Sequence, residues 1–400
     1  MNIIKNILVT DGNSRAALAV TRSLGSKGYK VFVADSAETS LASNSKYCSQ
    51  AVVYPDPVNN LNEFCSSIKK IVNEFNIDLI IPVTDVCVFP ISKLFKDNEI
   101  NCITPIASDE TVSLAANKSK LIKVAEELGI NVPNSQIIES KNDISIDYAD
   151  ITYPIVIKPS RSRVMIDGKW HFTSVTYAKT EEELATILNN THQEIYPIIL
   201  QERVLGNGVG AFYCYKHGKC IAKFAHKRIR EKPPSGGVSV LRESVEIDPL
   251  IDKHSQLLLS HLNWHGVAMV EYKKDVNRGI PYFMEINGRF WGSLQLAIDA
   301  GVDFPDHLVS ISKNIEISDA QTYKVGIKTR WLWGDIDLLL MLLFKSGNQL
   351  NLPKDYGPKW RVIINILNPF GKNMFYEVLR LSDLKPWLFE SKQWIKSLKK

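Results

Sequence analysis

The stretch "NILVTDGNSRAALAVTRSLGSKGYKVFVADS", Asn6 to Ser36, limits the fold more than any other part of the chain. It reads as a strand over Ile7–Thr10, a tight turn at Asp11-Gly12, an amphipathic helix from about Ser14, and a second strand over Lys30–Ala34 after Gly28. A strand, helix and strand of this length form a βαβ unit, whose strands lie parallel and whose crossover is right-handed. "DLIIPVT", Asp78–Thr84, adds a nearly continuous apolar strand of the kind buried on both faces. A further short strand is expected at Asn101–Thr104. Residues 1–107 are thus expected to form one α/β domain around a parallel sheet.

The pattern changes after that. "SDETVSLAANKSKLIKVAEELGI" reads as a helix capped by Ser108 or Asp109, ended by the Gly129–Pro133 stretch. "YPIVIKPS" is a buried strand with Lys158 towards its end, "EEELATILNN" an amphipathic helix, and "PIILQERV" another apolar strand ending in polar groups. "GVGAFYCYKHGKCIAKFAHKRI" alternates as two antiparallel strands turning at His217-Gly218. "GVAMVEYKKD" and "YFMEINGRF" form a last pair joined by "VNRG". Residues 108–312 are read as a mixed α+β domain, and 313–400 as an extension rich in tryptophan, leucine and basic residues.

Composition narrows the class. Of 400 residues, 45% are hydrophobic and 23% charged, which is ordinary for a globular chain. A net charge of +5 is too small to imply a nucleic-acid partner. The six cysteines are scattered without a CxxC pair, and no signal peptide is read, so reduced thiols in a cytoplasmic protein are expected. The longest apolar run, Ile336–Phe344, is about half of what spans a bilayer, so no transmembrane helix is expected.

The chemistry concentrates in the strands. Glu271 and Glu285 fall where a hairpin would place both side chains on one face. Two close carboxylates repel, so each protonates or seeks a cation. Asn287, two residues along, gives a third hard oxygen, and such a set suits Mg²⁺ completed by water and substrate phosphate. A general acid/base pair and surface ion pairs with Lys273 or Arg289 are the alternatives. Lys158, where an apolar strand meets solvent, can bind phosphate as a point charge or be a strand-end lysine. Lys118 is a weaker signal of the same kind. "QERVLGNG" (Gln201, Glu202, Arg203, Val204 and Leu205 onward) could present backbone groups to a purine edge and apolar side chains to its faces. In "HKRIREKPPSGGVSVLRES", Lys227 and Arg242 are candidate anion contacts, with a polar loop of ordinary surface charges as the alternative. His226 is open as a general base or a structural histidine.

Lysine, lysine, hinge carboxylate, paired carboxylates and asparagine, in that order, resemble the ATP-grasp family over residues 1–310. The resemblance is nearest to the carboxylate–amine ligases related to the carbamoyl-phosphate synthase large subunit. It implies an N-terminal parallel-sheet domain, a two-lobed α+β ATP-grasp domain, and use of ATP with Mg²⁺ (or Mn²⁺). "NKSK" and "VIKP" then give Lys118 and Lys158 as phosphate lysines. "QERV" gives the adenine hinge, Gln201 to Val204, with Glu202 and Val204 as contacts. "VEY" and "MEIN" give Glu271, Glu285 and Asn287 as metal ligands, and "EINGR" places Arg289 at the reacting phosphate. The implied reaction joins a small-molecule carboxylate to an amine through an acyl phosphate; amino acids, peptides and sugar acids are all open as substrates, and a surface-docking C-terminal extension would suit cell-envelope glycan precursors.

The chain also departs from the pattern. The flap position reads "SRSRVMIDGKW", Ser160–Trp170, with Arg161, Arg163 and one glycine, Gly168. The first turn lacks G-x-G-x-x-G, so a nicotinamide cofactor is not implied. An ATP-dependent carboxylase and a non-catalytic nucleotide-binding protein are the rival readings. For the extension, with Trp331, Trp333, Trp360, Trp387 and Trp394, packing on the core or in a homodimer competes with peripheral contact to an anionic membrane.

Overall fold

The computed structural model describes residues 4–142, 146–166, 169–315, 322–347, 349–350, 352, 356–368 and 371–398. Gly168, at the expected flap, lies outside the described residues.

The first domain runs β1 (Asn6–Val9), α1 (Arg15–Ser26), β2 (Lys30–Asp35), β3 (Gln50–Val53), α2 (Leu61–Glu74), β4 (Leu79–Ile81) and α3 (Asp85–Lys96). Its parallel sheet has the order β3-β2-β1-β4. Ser14 starts α1 as expected, its hydroxyl accepting from the Ala17 amide at 3.0 Å. Asp11, with φ 57°, turns its carboxylate onto the Val83 and Thr84 amides and so ties the ends of β1 and β4 together. The strand expected at Asn101–Thr104 is reduced to one bridge between Leu79 and Ile103. Pro105 follows and has no N–H to extend a ladder.

The expected single helix after residue 108 is two, α4 (Asp109–Ala115) and α5 (Lys118–Glu127). The Asn117 side chain accepts from the Lys120 amide and caps a new helix, which puts Lys118 at its first position. Next come β5 (Ser135–Ile138), β6 (Ile155–Pro159), β7 (Arg163–Ile166), β8 (Lys169–Phe172), β9 (Thr176–Ala178), α6 (Glu181–Asn190) and β10 (Ile198–Gln201). They form a small antiparallel sheet, β5-β10-β6-β9, and a separate hairpin of β7 and β8.

The remaining elements are β11 (Gly206–Lys216), β12 (Lys219–Lys232), β13 (Val238–Ser244), α7 (Pro249–His261), β14 (Gly266–Asp275), β15 (Pro281–Asn287), α8 (Leu294–Ala300), α9 (Phe304–Ser312), β16 (Lys328–Arg330), α10 (Leu332–Phe344), α11 (Lys359–Leu367), β17 (Met374–Tyr376) and α12 (Lys385–Ser397). They build a seven-stranded sheet, β15-β14-β11-β12-β13-β16-β17. Strand alternation gives it two buried faces. Ala211, Tyr213, Tyr215 and Val270 pack with Leu258 and Leu259 of α7. Phe212, Phe224 and Met269 instead share a core with Ile7 and Val9 of β1, Ala17 of α1, and Trp291 and Phe304. That shared core fixes the first domain against one face of the large sheet.

The C-terminal segment is built into this frame. β16 and β17 extend the large sheet, and Arg22 of α1 clamps the chain that follows. Its Nε donates to Asp383 Oδ2 at 2.9 Å, and its other nitrogens donate to the carbonyls of Glu377, Val378 and Asp383. The Ser45 hydroxyl and Lys46 amide donate to the same carboxylate. The tryptophans of the segment mostly turn inward. Trp333 and Trp394 stack at 4.2 Å, Trp331 lies under the Arg15 guanidinium at 3.7 Å, and Trp387 packs on the shared core.

Both members of the Arg22–Asp383 pair are buried. Removing one leaves a buried charge uncompensated, which costs about 3–5 kcal/mol. Asp383→Ala is therefore expected to lower the urea midpoint markedly, whereas Leu381→Ala, on a side chain 89% exposed, should leave it unchanged. Equal midpoints for the two variants would contradict the clamp.

Candidate functional site

Register sets the carboxylates. Glu271 of β14 lies directly opposite Glu285 of β15, and a bulge follows Glu271. The row continues across the sheet through Gly210 on β11 to His226 on β12 and Ser244 on β13. Directly opposed residues share a face, and this is the face that also carries Phe212 and Phe224 towards the first domain. A Cβ at Gly210 would come within 3.1 Å of the Phe212 ring, so glycine keeps the row open between Glu271 and His226.

The compensating charges come from other elements. Lys118, at the start of α5, reaches Glu285 Oε2 at 3.4 Å and donates to the Ser162 hydroxyl at 3.0 Å. Lys158, on β6 of the small sheet, donates to Gln201 Oε1 at 2.5 Å and contacts Met284 Sδ at 3.7 Å. Burial pulls the Lys158 ammonium down to about 8; Lys273 and Lys118 add to this, and Glu285 opposes it. Burial raises the Glu271 carboxyl, and the Glu285 charge raises it further. Burial also works against ionising Glu285, but Lys118, the Asn287 amide and Lys158 outweigh it and hold this carboxyl below its ordinary value.

Asn287 Nδ2 donates to Glu285 Oε1 at 3.0 Å, and Arg289 Nη2 donates to Asn287 Oδ1 at 3.3 Å. Arg289 is held from the first domain as well, its Nε donating to Asp85 Oδ2 at 3.0 Å. Glu285, Asn287 and Arg289 thus meet as their alternation suggests, although β15 ends at Asn287.

The donor set fits a hard divalent cation. Two half-buried carboxylates face each other, an amide lies beside them, and burial and mutual repulsion make ionisation costly without positive charge. Among the described residues no group of three or more His, Cys, Asp or Glu side chains is placed to hold a metal. A cation here would take the rest of its shell from amide, water or phosphate oxygens.

The other expected residues divide. Gln201 is buried beside Lys158, and Val204 is buried at the end of the same segment. The Glu202 amide donates to the Asn134 carbonyl, and its carboxylate lies 3.8 Å from Arg278. Arg203 is exposed, over the Tyr177 ring at 5.8 Å. In the hairpin after Lys158, Arg163 lies over Phe172 at 5.7 Å. Lys227 is not brought to the carboxylates. It faces the opposite side of β12, paired with Glu243 at 2.8 Å, because neighbouring strand residues alternate. The cation of this segment that does reach them is Arg228, 3.9 Å from Glu271. Counting in twos from His226 would have found it, whereas no sequence signal marked Asp85. Arg242 is on the site's face but is 1% exposed and paired with Glu377 at 3.1 Å. His226 is buried, its Nε2 bonded to the Ser293 hydroxyl at 2.7 Å, and burial with Arg242 and Arg228 keeps it neutral.

Lys158 should titrate near pH 8, cationic below and neutral above. Acylation followed by mass spectrometry should modify it with a midpoint near that value, against about 10.4 for exposed lysines. Glu285→Gln removes a charge that supports the ammonium, so the midpoint should fall further. A Lys158 midpoint equal to that of the exposed lysines would contradict the geometry.

A family model described as "ATP-grasp in the biosynthetic pathway with Ter operon" matches residues 199–334. No curated protein matches the chain by sequence. Among solved structures, an L-amino acid ligase from Bacillus licheniformis is similar at 15% identity and TM-score 0.57, covering 77% of this chain and 74% of that one. An N5-carboxyaminoimidazole ribonucleotide synthetase in complex with ADP is similar at 15% identity and TM-score 0.62, covering 85% and 86%. The biotin carboxylase domain dimer of a Hydrogenobacter thermophilus 2-oxoglutarate carboxylase, with MgADP, ADP and bicarbonate, is similar at 15% identity and TM-score 0.63, covering 82% and 74%. At these identities the likeness is one of fold. The family match falls on the large sheet that carries Glu271 and Glu285, and the fold is similar to that of these ligases and carboxylases.

Proposed function

We propose that the chain is an ATP- and Mg²⁺-dependent ligase that joins a carboxylate to an amine through an acyl phosphate, releasing ADP and phosphate. The observation that carries this reading is the direct opposition of Glu271 and Glu285 below two lysines delivered from separate elements. Such an array suits a metal-bound triphosphate better than an acid/base pair, because every charge in it is matched by one of the opposite sign.

Glu271, Glu285 and Asn287 would hold the metal. Bound there, Mg²⁺ would neutralise charge on the β- and γ-phosphates. Lys158 holds phosphate oxygens from the small sheet, and Lys118 holds them from the start of α5. Gln201 to Val204 frame the adenine, with Val204 against a ring face and the backbone at the purine edge. Arg289, oriented by Asp85, and Arg228 balance charge on the transferring phosphoryl group, for which positioning and electrostatics supply most of the catalysis. An oxygen of the acid attacks the γ-phosphorus, the bond from that phosphorus to the β,γ-bridging oxygen breaks, and ADP leaves. The amine nitrogen then attacks the acyl carbon, the carbon–oxygen bond to phosphate breaks, and the amine gives up its proton as phosphate departs. The open row at Gly210, between Glu271 and His226, is where we place the reacting carboxylate. A membrane surface is not part of this proposal, because Trp331, Trp333, Trp387 and Trp394 are engaged within the fold.

The test is ADP and phosphate release with Mg–ATP across a panel of amino acids, uronic acids, amines and bicarbonate. Turnover should need both an organic acid and an amine, and Glu285→Ala should lower it by at least about 100-fold. With the acid identified, ¹⁸O in its carboxylate should appear in the released phosphate. Turnover on bicarbonate without an organic acid, or phosphate free of label, would contradict the reading.

A further inference from the structure

We propose that the end of α10 and the exposed side of α11 form a face that docks on an anionic lipid surface. This face is separate from the candidate site, and its role does not depend on the ligase reading.

From Leu338 to Phe344, α10 is apolar all round, a composition that suits a helix covered on every side. Of that stretch only Leu338 and Leu342 are buried, in a small core with Val240 of β13 and Ile366 of α11. Leu343 and Phe344 point outward, Phe344 with 81% of its surface exposed. The same imbalance marks α11. Its Val362 and Ile363 pack on the small core, while Trp360, Ile364 and Leu367 are each more than half exposed. Their spacing of four and three residues puts these three on one stripe of the helix. Lys359 Nζ donates to the Lys345 carbonyl at 2.6 Å, which joins the exposed end of α10 to the start of that stripe. Clustered apolar exposure of this kind marks an interaction surface.

Charge selects the partner. From Leu338 to Tyr376 the sequence holds five basic residues, Lys345, Lys354, Lys359, Arg361 and Lys372, and one acid, Asp355. Lys354 and Asp355 lie outside the described residues. The carboxylates of α10 are spent inside the fold, Asp335 on Arg230 and Arg330 and Asp337 on Lys232. Among the described residues no acid is paired with Lys345, Lys359, Arg361 or Lys372. The Arg361 guanidinium lies over the exposed Trp360 ring at 5.4 Å, which sets a phosphate-binding group beside an indole suited to the headgroup layer. Tryptophan and aliphatic side chains rimmed by lysine and arginine are what an interfacial helix presents to anionic lipid. A second copy is the poorer occupant. A two-fold contact places the same patch on both subunits, so Lys345, Lys359 and Arg361 would meet their own counterparts, and like charges facing each other oppose association.

The lipid-facing helix is also tied to the reacting centre. Arg230 Nε of β12 donates to Asp335 Oδ1 at 2.9 Å, and Arg228, two residues earlier on the same strand, reaches Glu271.

The test is co-sedimentation of the full chain with phosphatidylcholine vesicles, made with and without phosphatidylglycerol. Binding should be at least about tenfold tighter to the vesicles that contain phosphatidylglycerol, an advantage that shrinks as salt is added. Lys345→Gln combined with Arg361→Gln should weaken it about 25-fold, about fivefold for each charge removed. Trp360→Ser combined with Ile364→Ser should abolish binding while melting temperature and affinity for a non-hydrolysable ATP analogue stay at wild-type values, because both side chains are exposed. Val276→Ser, on an exposed side chain in the turn between β14 and β15, should bind vesicles as the wild type does. Wild-type protein that shows no preference for phosphatidylglycerol, or undiminished binding by the Trp360→Ser, Ile364→Ser variant, overturns the proposal. So does a wild-type chain that ignores both vesicles but self-associates through this face, losing that association in the same variant.

Discussion

Two carboxylates held directly opposite each other set the terms for the rest of the structure. Side by side on β14 and β15, Glu271 and Glu285 cannot both ionise in a half-buried setting without positive charge close at hand. The large sheet cannot supply all of it. Lys118 arrives because Asn117 starts a fresh helix at that point, and Lys158 because β6 carries it to the facing edge of the small sheet. The charge balance is thus assembled from several elements, with Lys118 from α5, Lys158 from β6 and Arg228 from β12 brought to the two acids.

The first domain has two kinds of hold on that arrangement. One is apolar, since Phe212 and Met269 of the large sheet share a core with β1 and α1. The other is polar and more local. Asp85 at the start of α3 fixes Arg289, and Arg22 of α1 fixes the loop after β17. The same loop brings Glu377 onto Arg15 and Arg242. The C-terminal segment therefore works as a strap joining the sheet to the first domain, and it carries charge into the junction between them.

Much of this was legible in local sequence. The βαβ opening, the hairpin placing Glu271 against Glu285, and Lys158 on an apolar strand all follow from periodicities within about ten residues. What was not legible depended on long-range register. Lys227 and Arg228 are adjacent in sequence, and only the pairing of β12 with β11 and β13 decides which one faces the acids. The helix break at Asn117 was missed because the apolar spacing runs on through it, while the signal was a single capping side chain. Asp85 and Glu377 had no local mark at all, since their partners lie far away in the chain. Trp331, Trp333, Trp387 and Trp394 read as a surface pattern because the elements that engage them lie elsewhere in sequence, whereas Trp360 is exposed.

The central claim is that Glu271 and Glu285 hold a metal that in turn holds nucleotide phosphate. It is tested most directly by titrating the non-hydrolysable ATP analogue with and without Mg²⁺, in the wild-type chain and in the Glu271→Gln, Glu285→Gln double variant. The account predicts that Mg²⁺ tightens binding at least about tenfold in the wild type and has no such effect in the double variant. An equal gain from Mg²⁺ in both proteins would mean that the metal sits elsewhere, and the account would fail.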